Sequence, residues 1–468
     1  MKRWASIGVI LLLALSVVAS ACISGGGGGG GSEGLTLVIL TRHDVTIQKA
    51  TKEAFLNTDL AKKYNIVELR FVKATPATWI NYIEKGQADL AWGGGPTVFD
   101  DLNKLGYLRP IDNPDILNLI GTDIPKDIHG IPLVRYGDDG KVYWIAAALS
   151  SFGFTINKAV LEQWNLPEPK KWEDLGSEAF AMDPQMVGIA DPTRSTSNTR
   201  IYQIIVQAFG WDKGWQVLTR IAANAKIYDA SDAVRDDVIA GNIAVGTTID
   251  FYGYIAMKQN PNCVYIIPSG QSVLNGDPVA VVKSIKPEKL DAAYAFIYWL
   301  LTDGQAIWLR EDINRLPVNP KIFYTEEGKK RPDLWKAYNL TLQAQGIEFD
   351  DQRALKTVTA LKQYFKATLV DANADLHRVW LEIVNAKREG KITDEQFNEL
   401  VNELTAPVKF KDPETGQEVT FTEEYAAKIN DKLLKDADFR DQMMTIWKEA
   451  ARQKYLAVER KLQTMIGG

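Results

Sequence analysis

The sequence predicts an α/β protein of two lobes, followed by a mainly helical C-terminal extension. From Leu35 onward, short apolar runs alternate with helical patterns, which is typical of largely parallel sheets covered by helices on both faces. After about residue 326, long amphipathic helical patterns replace this alternation. The chain has 468 residues, 46% of them hydrophobic and 24% charged, which is enough for more than one core.

The first lobe is predicted over 35–150 and again over 277–325. Its first part contains strands at 35–40, 66–72 and 88–92, and helices at 45–63 and 77–85. A long extended run at 143–156 follows a Gly- and Asp-rich segment and is expected to cross between the lobes. The return contains a strand at 279–283, a helix at 288–302 and a proline-punctuated extended segment at 314–320.

The second lobe is predicted over 151–276 and repeats the alternation of strand and helix. Its strands are expected at 187–190, 226–228 and 244–250, and its helices at 198–209, 215–223 and 233–240. Each lobe therefore holds its own parallel-rich sheet. Hinge motion is expected where the chain crosses between lobes, at 153–156 and near Asp277.

The extension, 326–468, is interpreted as a helical cap without chemistry of its own. Asp350 or Asp351 is expected to cap one helix, and Thr393 with Gln396 forms the pattern of a capping box. Apolar residues at 408–410 and 419–421 flank a turn and predict a hairpin, which a final pair of helices follows.

The N-terminus has the order of a secretory signal. Lys2 and Arg3 precede an apolar run at 7–18, and small residues lead directly to Cys22. This arrangement resembles a lipobox, in which Cys22 is lipidated after cleavage, and a Gly-rich tether at 23–34 follows. The alternative is an uncleaved anchor helix, although the apolar run is shorter than the roughly 20 residues that span a bilayer. Both interpretations place the rest of the chain outside the membrane.

Composition argues against several functions. The net charge of −5 gives no basic surface for nucleic acid. The chain has only three histidines and lacks the common zinc, redox, hydrolase and nucleotide-binding motifs, so no metal site and no cofactor are predicted. With Cys22 lipidated, Cys263 is the sole remaining thiol and no intrachain disulfide can form.

Two loops between strand and helix stand out as candidate anion sites. In the first lobe the loop is 93–97, which is rich in glycine, and in the second lobe it is 194–199, which is rich in hydroxyl groups. Glycines allow close approach, and helix N-termini present unpaired N–H groups with partial positive charge. Facing each other across a cleft, the loops would hold an oxyanion. The alternative for each loop is an ordinary capped helix.

The order of these segments resembles the type II periplasmic solute-binding proteins, especially the branch that includes ferric-iron, sugar-phosphate, phosphonate and thiamine binders. The resemblance covers roughly 35–320. It rests on Thr41-Arg42-His43, on Trp92 with its three glycines, on Ser150-Ser151-Phe152-Gly153-Phe154, on 191–197 and on Asp250-Phe251-Tyr252-Gly253-Tyr254. It implies a monomeric, non-enzymatic binding protein outside the plasma membrane that delivers its solute to the membrane subunits of an ABC importer.

Iron-binding members of that branch hold the metal with a His, a Glu and two adjacent Tyr. His43 matches the histidine and Tyr252 one tyrosine, but Gly94 replaces the carboxylate and Phe251 the other tyrosine. A ferric ion needs several anionic oxygens. The sequence therefore favours a phosphate ester, phosphonate, carboxylate or anion-chelated metal over free iron.

The residues expected to contact the solute come from both lobes. They are Thr41, Arg42, His43, Trp92, Gly93, Gly94, Ser150, Ser151, Arg194, Ser195, Thr196, Ser197, Asp250, Tyr252 and Arg315. His43 is alternatively a structural histidine. Two other functions stay open: an exported hydrolase or transferase that uses Ser195 or Ser197 with His43, and a solute-sensing surface lipoprotein without a transport role.

Overall fold

A computed structural model describes residues 34–74 and 76–467. The predicted signal segment, Cys22 and the tether up to residue 33 lie outside these residues. None of the helices in the described ranges combines the length and the apolar character that crossing a membrane requires.

The strands of the described chain belong to one large sheet and two small hairpins. They are β1 (Leu35–Thr41), β2 (Ile66–Lys73), β3 (Leu90–Trp92), β4 (Leu108–Arg109), β5 (Asp127–Ile128), β6 (Ile131–Pro132), β7 (Val134–Tyr136), β8 (Val142–Asn157), β9 (Val187–Ala190), β10 (Ala225–Tyr228), β11 (Val245–Ile249), β12 (Cys263–Ile266), β13 (Leu274–Val282), β14 (Leu316–Pro317), β15 (Lys409–Lys411) and β16 (Glu418–Thr420).

The α-helices cover the faces of the sheet and form most of the extension. They are α1 (Val45–Leu56), α2 (Asp59–Lys63), α3 (Pro76–Glu84), α4 (Pro96–Lys104), α5 (Pro114–Leu117), α6 (Lys158–Gln163), α7 (Trp172–Leu175), α8 (Thr196–Phe209), α9 (Trp211–Asn224), α10 (Ser231–Ala240), α11 (Asp250–Gln259), α12 (Leu290–Leu301), α13 (Glu326–Lys329), α14 (Pro332–Gln343), α15 (Asp351–Phe365), α16 (Asn373–Arg388), α17 (Asp394–Thr405), α18 (Glu423–Lys435) and α19 (Ala437–Gly467). Short 3₁₀ segments lie at Glu178–Phe180, Pro287–Lys289, Asp303–Leu309 and Pro320–Tyr324, and a π-helical turn lies at Lys366–Val370.

The large sheet has two halves that share β8. Its main path runs β10-β9-β11-β8-β13-β3-β1-β2. The first part of β8 pairs antiparallel with β13, from Ile145 to Ser151, and the second part pairs with β11, from Phe152 to Ile156. The two predicted sheets are therefore continuous through one 16-residue strand, which changes partner between Ser151 and Phe152.

The outer strands of each half are parallel, and this places the ends of several strands together. β1 is parallel to β2 and β3, and β9 is parallel to β10 and β11. Because the carboxyl ends of parallel strands lie at one edge, the loops that follow β1, β2 and β3 are neighbours, and so are the loops that follow β9, β10 and β11.

Local sequence signals set most helix boundaries. The expected caps of α15 and α17 are confirmed, since Asp350 accepts a hydrogen bond from the Arg353 N–H and Thr393 with Gln396 forms a capping box. The prediction of one helix over 45–63 is wrong. The chain leaves α1 after Leu56, and Thr58 then caps the short α2 by accepting from the Ala61 N–H.

The described residues form two main hydrophobic cores. One is built from strands β1, β3 and β13, from α12 and from the 3₁₀ segment Asp303–Leu309, and α14 joins it through Leu334, Ala337 and Tyr338. The other is built from β9, α8 and α9, and it continues through α15 to α19 as far as Leu462. The region predicted as one extension is thus divided: α14 packs on the first half, and the later helices complete the core of the second half.

Candidate functional site

A cavity of about 800 Å³ lies where the two groups of loops face each other. The glycine-rich loop contributes Gly94 and Gly95, and the hydroxyl-rich loop contributes Thr196 and Ser197. The two loops singled out in the sequence therefore border one space and not opposite surfaces. Because they follow strands of different halves, any change in the angle between the halves alters the width of this cavity.

The wall from the first half carries two cations. Arg42 follows β1 and Lys73 ends β2, and both are exposed. Neither forms an ion pair with another residue of the described chain, whereas the neighbouring Asp44 is engaged as the N-cap of α1. This wall therefore offers two positive charges to a solute.

The wall from the second half is built from the starts of three helices. A compact hydroxyl cluster joins α8 to α10: the Ser231 hydroxyl lies 2.5 Å from the Ser195 hydroxyl and 2.7 Å from the Ser197 hydroxyl. The N–H groups of Thr196 and Ser197, first in α8, have no acceptor among residues 34–74 and 76–467. This end of α8 can donate to an anion.

The third helix start brings an aromatic and basic pair to the same wall. Tyr252 lies in the first turn of α11, and the Arg235 guanidinium lies 4.6 Å from the centre of its ring. Arg235 also contacts Asp236, whose side chain is 62% exposed, and water screens the charge of such a carboxylate. Its charge therefore stays accessible to a solute in the cavity.

The floor is a buried polar network centred on Arg315. This guanidinium donates to the Asp277 carboxylate at 2.8 Å and to the Ser150 hydroxyl at 2.7 Å, and its side chain is only 8% exposed. The His43 ring lies 3.6 Å from the same carboxylate. Although burial raises it, Arg315, His43 and the Gly94 N–H together hold the pKa of Asp277 below its usual value.

The backbone N–H groups at the start of the glycine-rich loop donate to other groups of the protein and are not free to bind a solute. The N–H groups of Gly94 and Gly95 donate to the Asp277 carboxylate at 2.9 and 3.4 Å, and the Gly93 N–H donates to the Pro278 carbonyl at 2.8 Å. The expectation that these amides bind the solute is corrected, because a carboxylate of the chain itself occupies two of them. Gly93 has a φ of +78°, and a Cβ there would lie 2.5 Å from the His43 ring.

His43 is held neutral by its surroundings. Burial, with a smaller contribution from the charge of Arg315, lowers the pKa of His43 from 6.5 to about 4, against the opposing effects of Asp277 and Asp44. Its ring lies between those of Trp92 and Trp308, at centroid distances of 4.2 and 5.7 Å. A neutral imidazole in this position leaves the positive charge of the cavity to Lys and Arg.

This shift predicts a pH dependence of stability. Because the folded state binds the His43 proton more weakly than the unfolded state, the contribution of His43 is complete above pH 6.5 and is lost as the pH falls toward 4. The expected loss is about 3 kcal/mol. Chemical unfolding of the wild type and of His43→Gln at pH 7 and pH 4 measures it, and the wild type should lose about 3 kcal/mol more than the variant.

The wild type and His43→Gln must be compared because the titration of a neighbouring group, Asp250, changes the stability in the opposite direction. Burial raises the pKa of Asp250 to about 7, against the opposing effects of Arg315 and of the Ser151 N–H, so its contribution to stability falls as the pH rises. Parallel pH profiles for the wild type and His43→Gln would contradict the assignment of the effect to His43.

Eight of the fifteen predicted contact residues border the cavity. They are Arg42, His43, Gly94, Ser150, Thr196, Ser197, Tyr252 and Arg315. The other seven, Thr41, Trp92, Gly93, Ser151, Arg194, Ser195 and Asp250, lie outside the set of described residues that line it.

Most of these seven support the site from beneath. Trp92 is fully buried and contacts the rings of His43 and Trp308, so it is a core residue and not a wall. Asp250 accepts from the Ser151 N–H at 2.8 Å and joins β8 to α11. Arg194 points elsewhere: it pairs with Asp229 at 3.2 Å, and its side chain is 60% exposed.

Several cavity residues were not anticipated from the sequence, chiefly Lys73, Arg200, Arg235, Asn275 and Asp277 as contacts. Lys73 is the last residue of β2, and a basic residue at the end of a predicted strand could have been identified from the sequence. Arg200 and Arg235 lie one turn inside helices α8 and α10. Counting four residues onward from the first residue of each helix, Thr196 and Ser231, would have found both.

The side chains that line the cavity carry an excess of positive charge. Five are basic and three are acidic, a difference of +2 with His43 neutral: Arg42, Lys73, Arg200, Arg235 and Arg315 against Asp44, Asp277 and Asp312. Within the described ranges, no group of three or more His, Cys, Asp or Glu side chains is arranged to hold a metal ion. The electrostatics suit an anion.

The arrangement does not form a nucleophile and base. The Ser195 and Ser197 hydroxyls contact each other and Ser231 on the second half, while the His43 ring contacts Arg315 and Asp277 on the first. Among the described residues no serine donates to a histidine ring.

Comparison with known proteins identifies a matching family and two curated relatives. The family model described as bacterial extracellular solute-binding protein matches residues 55–336. Two curated relatives, from Salmonella typhimurium and Salmonella typhi, are both named phosphoglycerate transport regulatory protein PgtC. Each is 30% identical over 241 residues, which is 50% of this chain and 57% of the relative. The match thus spans a little over half the length of these relatives.

Solved structures share the fold at low identity. The spermidine/putrescine ABC transporter substrate-binding protein PotD from Streptococcus pneumoniae aligns with a TM-score of 0.51 at 18% identity, over 71% of this chain and 98% of that one. The periplasmic binding protein AfuA from Actinobacillus pleuropneumoniae, with fructose-6-phosphate bound, aligns with a TM-score of 0.50 at 19% identity, over 68% and 92%. At these identities the likeness concerns the two-lobed α/β architecture.

Proposed function

Since this chain belongs to the family of bacterial extracellular solute-binding proteins, we propose that it captures a small anionic solute in the cavity and delivers it to an ABC importer. The chain therefore acts outside the cytoplasmic membrane, and closure of the two halves on the solute would create the surface that the membrane subunits recognise.

The observation that carries the choice of an anion is the character of the second-half wall. There the first two N–H groups of α8 have no acceptor among the described residues, Ser197 of the hydroxyl cluster borders the cavity, and Arg235 adds a full charge. Backbone donors, hydroxyls and a guanidinium together suit the several oxygens of a phosphoryl or carboxylate group. Arg42 and Lys73 on the opposite wall can hold a second oxyanion.

Two anion-binding walls favour a small organic acid that carries a phosphoryl group and a carboxylate. The naming of the curated relatives for phosphoglycerate transport supports this class, and the phosphorylated sugar bound by AfuA supports the phosphoryl group alone. Phosphonates and other carboxylates share the same chemistry at lower charge.

The proposal extends to attachment at the membrane. Lipidation of Cys22 would fix the chain to the outer face of the plasma membrane, and the Gly-rich tether would let a monomer reach the importer. A solute-sensing role without transport would use the same cavity. It differs by lacking the importer as its partner.

Calorimetric titration tests the proposed function with a defined panel. D-glycerate 3-phosphate should bind the wild type more tightly than inorganic phosphate or glycerate, and spermidine should not bind. Removing one charge, as in Arg235→Gln or Lys73→Gln, should weaken binding of the phosphate ester by about 1 to 3 kcal/mol, because a charge-assisted hydrogen bond is lost.

Arg194→Gln is the matched control, because it removes an exposed arginine from the loop before α8 that lies outside the cavity. It should leave the affinity unchanged. Tight binding of spermidine, or equal affinities for Arg235→Gln and the wild type, would contradict an anion-binding site on this wall.

A further inference from the structure

Arg200 connects the cavity to the C-terminal extension. It lies on α8 one turn after Thr196 and borders the cavity. Its side chain is 15% exposed, so its charge is largely withdrawn from water. The residues that hold it in place come chiefly from the part of the C-terminal extension where α15 begins.

Two extension residues hold the guanidinium of Arg200. One of its terminal nitrogens donates to the Asp351 carboxylate at 2.8 Å, and the group lies 3.9 Å from the centre of the Phe349 ring. The same nitrogen lies 3.4 Å from the amide oxygen of Asn275. The Nε–H is buried and has no acceptor in the described part of the chain.

A buried guanidinium with an unused donor is costly, because each desolvated N–H that lacks an acceptor loses the hydrogen bond it makes in water. An oxyanion in the adjacent cavity would supply that acceptor. A solute bound there would share the guanidinium with Asp351, and the two negative groups would then repel each other.

We propose that Arg200 binds an anionic group of the solute and that Asp351, from the C-terminal extension, weakens this binding by competing for the same guanidinium. This inference rests on the proposed function, since it requires an anionic solute. It gives the extension a role in the site: Asp351, the first residue of α15, lowers the affinity and thereby favours release of the solute to the importer.

The proposal fixes the signs of two substitutions. Arg200→Gln removes the charge and should weaken binding about tenfold or more. Asp351→Asn keeps an acceptor for Arg200 and the Phe349 ring beneath it but removes the negative charge. It should therefore strengthen binding about fivefold.

The experiment measures the affinity of the full chain for D-glycerate 3-phosphate and inorganic phosphate by calorimetry, at low and high ionic strength. Asp229→Asn is the matched control, because it removes the carboxylate of the exposed Arg194–Asp229 pair beside the same helix start. It should leave the affinity unchanged. Thermal unfolding of each variant verifies that it is folded.

The outcomes separate the two ideas. Stronger binding by Asp351→Asn, weaker binding by Arg200→Gln and no change in Asp229→Asn support the inference. If the wild type binds and Asp351→Asn weakens binding as Arg200→Gln does, or Arg200→Gln has no effect, the inference fails and the proposed function stands. If the wild type binds neither anion, the proposed function fails and the inference with it.

Discussion

Replacing Trp447 with Ala is expected to lower the free energy of unfolding by about 3 to 5 kcal/mol, the usual cost of emptying a fully buried indole site. Trp447 lies on α19, twenty residues before the end of the described chain, and none of its side chain is exposed. Its ring contacts those of Tyr364 and Phe421, which in turn contact Trp215 on α9. The cavity left by Trp447 should therefore reach the second half.

Hydrogen exchange tests whether the C-terminal extension shares one core with the second half or folds separately. The loss should appear as lower protection of the α9 amides as well as those of α19, because both belong to one core. The adjacent Lys448 is exposed, and Lys448→Ala should change the stability by no more than about 0.5 kcal/mol. Deprotection confined to α19 in Trp447→Ala would show that the extension folds separately.

Replacing Arg315 with Ala is the second change for which we expect a large effect. It removes the only permanently charged cation that pairs with the Asp277 carboxylate among the described residues. It also leaves the Ser150 hydroxyl without that donor. Breaking a buried pair by removing one member costs about 3 to 5 kcal/mol, since a charge stays buried without compensation. The Gly94 and Gly95 N–H groups would still contact Asp277 and would limit the loss.

Urea unfolding at pH 7 measures this loss, with Arg310→Ala as the matched control. Arg310 lies five residues earlier and also pairs with an aspartate, Asp312, but both side chains are about half exposed. The control should lose no more than about 1 kcal/mol. If Arg315→Ala were as stable as Arg310→Ala, the network would not hold the floor of the cavity together.

The predicted fold class is confirmed, and local chemistry explains why. Alternating apolar runs and helical patterns depend on residues within one turn or one strand, so β9 occurs at its expected bounds and the caps of α15 and α17 are the expected ones. The predicted type II periplasmic-binding-protein architecture follows from that order. The break after Leu56 was missed because Thr58 ends one helix and starts another within an unbroken helical pattern.

The sequence identified the loops of the site but not which of their hydrogen-bond donors are free to bind a solute. Strand ends and helix starts identified the two loops that border the cavity, because parallel sheets gather such loops at one edge. Which donors in them are free depends on partners far along the chain. Asp277 is 183 residues from Gly94, and nothing within the glycine loop reveals that this carboxylate occupies it.

By itself the sequence determined the alternating strands and helices, the two candidate loops and the absence of familiar catalytic motifs, since each of these is encoded over a few neighbouring residues. Tertiary structure alone decided that Trp92 is core, that Arg194 faces solvent and that Arg200 meets Asp351, 151 residues away. Burial and pairing between distant residues determine charge and access. They arise only when the two halves and the extension have packed together.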